Sequence, residues 1–426
     1  MKTKRLKNLV CAPRRILDGR RGAIARHHPF AALLLQLATC LVMLALFAAA
    51  AGCAPSEFRG AWVTAWNPGF LTPAEADETI AAAKTANMNA LIIQVRKAGD
   101  AYYNSKLEPR ASNISGSWDY DPLAYVIDRA HSAGLEVHAW VNALRMLSPA
   151  ASAVDPRHVC SLHPEWIMSD STGGINSPTG VYLDPGVPDV QEYTLKVITD
   201  LAANYDLDGV HLDYLRYPNR EWGYNSVSVG RFNTRYGRSG APVPDDPLWS
   251  QWRRDQLTAL VGKIYQRVSS VRPGAKVTLA AVAWGDCPSD FESGSSYRAA
   301  FQDWAGWLRD GILDAAIPMN YRDETDATAA EQYRGWLEGM RRWRSDRHVY
   351  AGQMVTGDVD SAVAQLRASR DSGAPGTVCF SFNATPTRPA LVAALRSAVY
   401  SQPASVPKMP WKARYAQAPD RGRYVP

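Results

Sequence analysis

Asp208-Gly-Val-His-Leu-Asp-Tyr-Leu-Arg-Tyr-Pro218 decides the fold. Gly209-Val-His-Leu212 is an apolar run of strand length, and Pro218 stops regular structure because it has no N–H to give a sheet ladder. Between them stand a carboxylate (Asp213), an arginine (Arg216) and two tyrosines, Tyr214 and Tyr217. An apolar strand running into clustered polar residues marks an α/β barrel, whose reactive groups sit where strands end and loops begin. A carboxylate flanked by aromatics and a cation at that place suits carbohydrate chemistry. The same residues also fit a plainer arrangement, a buried Asp213–Arg216 ion pair that ties down the loop.

Outward from this motif, apolar runs alternate with helix-like segments, the pattern of a parallel α/β architecture. Strands are expected at 60–66, 90–96 and 135–142 before the motif, and at 276–283, 313–320, 348–352 and 376–382 after it. Thr72-Pro73 with Glu75 in the first turn predicts a helix over 73–87, and another is expected near 121–133, ended by Gly134. Eight strands with helix-length spacers predict an α/β fold, a (β/α)8 TIM barrel, over residues 57–400. That span exceeds the roughly 250 residues typical of such a barrel. The surplus falls in two stretches rich in Gly, Ser, Pro and Asn, 143–190 after the third strand and 217–250 after the fourth. Loops that follow strands build the catalytic face, so these long βα loops stand where a substrate groove needs walls.

The two ends differ from this body. Residues 1–28 carry nine Lys/Arg against one acid, 31–52 are almost wholly apolar, and Ala50-Ala-Gly-Cys53 follows. A basic region, an apolar region and small residues before a cysteine predict a lipoprotein-type signal peptide over 1–52. Cys53 is then the lipidated first residue, with 53–56 a short tether to the membrane. The alternative is an uncleaved anchor, since the 22 residues 31–52 are long enough to span a bilayer. Either way the remaining chain is expected outside the cytoplasm. Residues 1–52 hold nine of the 47 Lys/Arg and one of the 41 Asp/Glu, which leaves 38 and 40 and a net charge of −2. Without a basic excess or a reader motif, nucleic acid is not an expected partner. No CxxC or His-rich spacing indicates a metal, and no organic cofactor is implied. Cys379, within Thr377-Val-Cys-Phe-Ser-Phe382, is expected as a buried thiol, whereas Cys160 and Cys287 fall in loops on one face and form a candidate disulfide. The tail 401–426, with five prolines and five Lys/Arg, is expected to be extended rather than a domain.

Nearly every strand delivers a group able to bind a hydroxyl or stack on a sugar. The first brings Trp62 and Trp66; the second Gln94 and Arg96, then Asp100; the third His138, Trp140, Asn142 and Arg145. His211, Asp213 and Arg216 come from the fourth, Trp284 and Asp286 from the fifth, and Asn320, Tyr321, Asp323 and Glu324 from the sixth. Aromatic faces bind the C–H side of a pyranose, while fixed amides and carboxylates read its hydroxyls. Glycoside hydrolysis needs two carboxyl groups, one to protonate the leaving oxygen and one to attack carbon or activate water. Asp213 is the first choice for the second role, with Arg216 expected to keep it ionised. Asp286, Asp323 and Glu324 compete for the acid role, Asp286 leading because its strand neighbours the fourth. Gln94 and His138 fit equally well as satisfied polar groups inside the barrel, Trp62 and Trp140 as filling, and Asp100 as a cap.

These motifs in this order resemble the glycosyl-hydrolase-like family 10 of bacterial proteins over roughly 57–411. The resemblance rests on Arg59-Gly-Ala-Trp-Val63, Gln94-Val-Arg96, Gly99-Asp100-Ala-Tyr-Tyr-Asn-Ser-Lys-Leu-Glu-Pro109 and His138-Ala-Trp-Val-Asn142. Tyr182-Leu-Asp-Pro-Gly186, Asp208-Gly-Val-His-Leu-Asp213, Pro318-Met-Asn-Tyr321 and Met409-Pro-Trp411 add to it. It implies a TIM barrel acting on glycan strands, with peptidoglycan stripped of its stem peptides the leading substrate. Arg96, Asn142, His211, Arg216 and Asn320 are then expected to position hydroxyls, and Trp66, Trp140, Trp284 and Tyr321 to stack. Many relatives carry two adjacent Asp residues after the fourth strand, where this chain has Asp213-Tyr214. A glycan-binding lipoprotein without catalysis, or a hydrolase of another secreted polysaccharide, are the alternative readings.

Overall fold

The computed structural model describes residues 55–149, 151 and 155–413. The predicted signal peptide and Cys53 lie outside the described residues, as does the tail beyond 413. β1 (Phe58–Val63), β2 (Ala90–Arg96) and β3 (Glu136–Asn142) are followed by a small antiparallel ribbon, β4 (Arg145–Leu147) and β5 (Val181–Tyr182). Then come β6 (Gly209–Asp213), β7 (Lys276–Ala281), β8 (Ala315–Pro318), β9 (His348–Val349), β10 (Ala351–Met354) and β11 (Gly376–Phe380). Apart from the ribbon they form one sheet in the order β10-β11-β1-β2-β3-β6-β7-β8-β9, with every neighbouring pair parallel. β9 and β10 are the expected seventh strand, interrupted at Tyr350. A bridge between Met319 and Gly352 brings β8 and β10 together, so the ring nearly closes.

Helices fill the spacers, and their caps follow the sequence signals. Thr72 Oγ1 accepts from the Glu75 amide at 3.2 Å and opens the helix Pro73–Thr85. That helix stops two residues short of the expected end because Asn87 turns left-handed, with φ 54°. Asp121 caps Pro122–Ser132 in the same way. Both strand faces are buried. Phe58, Trp62, Ile92, Trp140, Ile317 and Val378 pack inside the barrel, while alternate residues such as Ala61, Val63, Leu91 and Val210 pack under the helices. Burial on two faces is why the strands read as near-continuous apolar runs.

The tail does more than extend. Ser405 bridges Ser56 just ahead of β1, and Met409 and Trp411 close the barrel floor beneath the stacked Phe58 and Tyr350 rings, 4.4 Å apart. Trp411 Nε1 donates to the buried Asp314 carboxylate at 2.7 Å, and Lys412 Nζ sits 3.1 Å from its other oxygen. The candidate disulfide is corrected: Cys160, Cys287 and Cys379 are all free thiols. Cys160 is buried on the Arg96 side of the third βα loop, and Cys287 packs against Gly339 and Arg342 of a different segment.

Candidate active site

At the C-terminal end of the strands the barrel opens into a cavity of about 170 Å³. β1 and its loop supply Trp62, Thr64 and Trp66, β3 supplies Trp140, and the ribbon swings Arg145 into the wall. Tyr321 and Phe380, stacked 5.2 Å apart, form the opposite side. Asp213, at the end of β6, is the single acid among the described lining residues.

Asp213 is 4% exposed, and both carboxylate oxygens are engaged. Oδ1 accepts from the Tyr214 amide at 2.6 Å and Oδ2 from Trp140 Nε1 at 3.1 Å. Arg216 Nη1 lies 3.6 Å from Oδ1, an ion pair too long for a hydrogen bond. Arg216 was expected to keep this group ionised, and it does pull the carboxyl down, as do both hydrogen bonds. Burial outweighs them, and the carboxyl is held above its ordinary range. Tyr214 takes a left-handed backbone, φ 49°, which costs a non-glycine residue about 1–2 kcal/mol. Its ring meets two guanidinium groups, Arg145 at 4.8 Å and Arg216 at 4.5 Å from its centroid.

One layer below, Trp62 Nε1 donates to His211 Nε2 at 3.0 Å, and His211 Nδ1 meets Thr278 Oγ1 at 2.9 Å. Burial drives the His211 pKa well down, so the ring is neutral, with its proton on Nδ1. It supports the cavity floor from beneath.

The glycosyl hydrolase-like 10 profile matches residues 57–364. The chain belongs to that family. Glycosyl hydrolase YngK of Bacillus subtilis is 27% identical over 350 residues, covering 76% of this chain and 66% of that protein. Glycosyl hydrolase DigH of Escherichia coli K12 is 26% identical over 260 residues, covering 55% and 54%. The chain thus spans about two thirds of one curated relative and about half of the other. Among solved structures, the PgaB (BpsB) glycoside hydrolase domain from Bordetella bronchiseptica has a TM-score of 0.61 at 16% identity, over 82% of this chain and 100% of that one. The catalytic domain of beta-amylase from Paenibacillus polymyxa has 0.54 at 12%, over 82% and 99%. At these identities the likeness is one of fold, an α/β barrel used by glycosidases.

Within the family's barrel, the expected site residues divide. Trp66, Trp140, Asp213 and Tyr321 line the cavity. Arg216 and the half-exposed Trp284 stand beside it, 5.6 Å from one another. Arg96, Asn142 and Asn320 are wholly buried and serve the loops instead. Arg96 is bound to Glu108 through Nε and Nη2 and donates to the Asn142 carbonyl; Asn142 Nδ2 donates to the Lys97 carbonyl, and Asn320 Nδ2 to that of Tyr333. Asp100 caps its own loop through the Lys97 and Ala98 amides. None of the three proposed acids lines the cavity. Asp286 accepts from Gln332, Glu324 pairs with Arg334, and Asp323 caps Thr325. Arg145 and Tyr214, named among the strand-end residues but given no role in the expected site, also line the cavity, and Thr64, Met319 and Phe380 are lining residues that the sequence reading did not name. Arg145 falls in the Gly/Ser/Pro-rich loop, and only the ribbon pairing shows which way it points.

Proposed function

We propose that the protein is a glycoside hydrolase acting on an extracytoplasmic polysaccharide, foremost the glycan strands of peptidoglycan lacking stem peptides. One observation carries this reading: a lone buried carboxylate, Asp213, oriented by two donors at the floor of an aromatic-walled cavity at the strand ends. Asp213 acts as base or nucleophile. Hydrogen bonds to both oxygens favour its ionised form, while the raised pKa makes that carboxylate a stronger base at neutral pH. Trp66 and Tyr321 supply stacking faces for the sugar. The acid comes from a loop, Asp286 or Glu324, brought over the cavity when glycan binds. The lipoprotein-like leader, with Cys53 as its lipidated residue, places the enzyme on a membrane facing its polymer.

A second reading follows from Asp213 being the single carboxyl among the described lining residues: a glycan-binding lipoprotein without turnover. Mass spectrometry of products after incubating the purified full-length protein with amidase-treated peptidoglycan strands separates the two. Hydrolysis gives short sugars with new reducing ends, and Asp213→Asn lowers kcat/KM by about 10³-fold or more without unfolding the protein. Release of no sugar from this or other glycans, with binding retained, favours the second reading. For the hydrolase, the acidic limb of the kcat/KM profile lies above pH 3.8, because Asp213 must lose its proton at a raised pKa. Arg216→Gln removes a cation that lowers this pKa, so the limb moves to higher pH; a limb that stays in place counts against Asp213 as the base.

A further inference from the structure

Six side chains run across the cavity mouth as alternating cations and rings. Lys97 Nζ lies 4.4 Å over Trp66, and the Arg145 guanidinium is 6.0 Å from that ring. Arg145 and Arg216 then both contact Tyr214, at 4.8 and 4.5 Å, and Arg216 continues to Trp284 at 5.6 Å. Charge along this row is unevenly matched. Lys97 has Asp100 beside it, and Arg216 has Asp213 at 3.6 Å. Arg145 is 8% exposed, and its hydrogen bonds go to neutral partners, Nε to the Thr179 carbonyl at 2.6 Å and Nη2 to Ser148 Oγ at 3.3 Å. Arg216 Nη1 is buried with no hydrogen-bond acceptor. Two guanidinium groups set against one ring repel each other, and Asp213, which feels the charge of both but pairs only with Arg216, is a single carboxylate shared between two cations.

We infer that the substrate supplies the missing negative charge: the cavity selects a glycan bearing a carboxylate, with Arg145 as the specificity-determining residue and Arg216 assisting. This rests on the glycan-binding reading of the cavity and adds a chemical class to it. Guanidinium suits the task because its planar fork pairs bidentately with carboxylate, and stacking on Tyr214 holds the plane before the ligand arrives. Two sugar chemistries offer such a group, the lactyl ether of muramic acid in stripped wall strands and the ring carboxylate of a uronic acid. A stem peptide joined to the lactyl group turns that carboxylate into a neutral amide.

The test is titration calorimetry alongside product release on the full-length protein, with four ligands: stripped peptidoglycan strands, the same strands with carboxylates converted to methyl amides, oligoglucuronate, and neutral chito-oligosaccharides. One acidic ligand is expected to bind about tenfold or more tightly than the neutral ones, with the gap narrowing as salt rises. Whether stripped strands or oligoglucuronate bind better identifies the carboxylate's source. Arg145→Gln is expected to bring native and amidated strands to within about twofold, and Arg145→Lys to keep part of the preference. Equal binding of native and amidated strands, with oligoglucuronate no tighter than chito-oligosaccharide, overturns the inference even if hydrolysis is robust. A preference untouched in a folded Arg145→Gln overturns the role of Arg145. Carboxylate preference without any product retains the inference and removes the hydrolase reading. Should Arg145→Gln fail to fold, the wild-type comparison and Arg145→Lys still decide.

Discussion

Asp184 and Asp213 are both buried acids with raised carboxyls, yet only one faces the cavity. Asp184 is fully buried in the third βα loop, where it accepts from the Gly186 amide at 2.8 Å and the Asn225 amide at 3.3 Å. Burial pushes its carboxyl up to about 6, the hydrogen bonds pulling it part of the way back. A folded-state pKa above the unfolded value means that the native protein holds the proton more tightly. Stability is therefore lost as pH rises from the unfolded pKa, near 4, through the folded one, near 6. The shift of about two units corresponds to about 3 kcal/mol. Asp184→Asn should gain about that much on the wild type between pH 4 and pH 7 in urea denaturation. A difference independent of pH would remove the buried charge as its cause. The Tyr182–Gly186 motif was legible as a family feature, but nothing in its residues told a buried loop anchor from a catalytic acid. That distinction depends on which side of the loop faces water.

The strands were legible because both faces are apolar, and a run buried on both faces survives any error in register. Their polar ends were harder to read. Alternation places Gln94 and Arg96 on one face, and Gln94 does line the cavity. The pairing of β2 with β3 slips between these two residues, and Arg96 turns into the ion pair with Glu108 instead. The slip leaves no mark in the sequence. Its consequence is structural: this pair, wholly buried, joins the end of β2 to its loop and to the carbonyls of Asn142 and Ala143. Glu108→Gln should cost about 3–5 kcal/mol, since one charge is left buried alone. Replacing both partners, Arg96→Met with Glu108→Leu, should cost much less. Chemical denaturation of the three proteins checks the order, and a double variant as unstable as the single one contradicts it.

Across the whole molecule, barrel class and strand sequence could be read from residue patterns, whereas of the two long loops expected to wall the groove only 143–190 reaches the cavity, through Arg145. The split at Tyr350 and the docking of the tail could not be read, because both depend on contacts between distant parts of the chain. Proline content suggested an extended tail but carried no information about what its described part, up to residue 413, packs on. Trp411 fills the barrel floor and satisfies Asp314, so Trp411→Ala should destabilise by about 3–5 kcal/mol. Unfolding within 1 kcal/mol of wild type would make the plug dispensable.

The Ser56–Ser405 bridge ties the segment entering β1 to the segment that follows the last helix, at the floor, on the far side of the barrel from Asp213. With Cys53 acylated as proposed, only Ala54 and Pro55 separate the lipidated residue from Ser56, a leash of at most about 11 Å. On that proposal the barrel floor would stay within about that distance of the lipid, and the cavity, at the opposite end of the strands, would be the part left free to meet polymer.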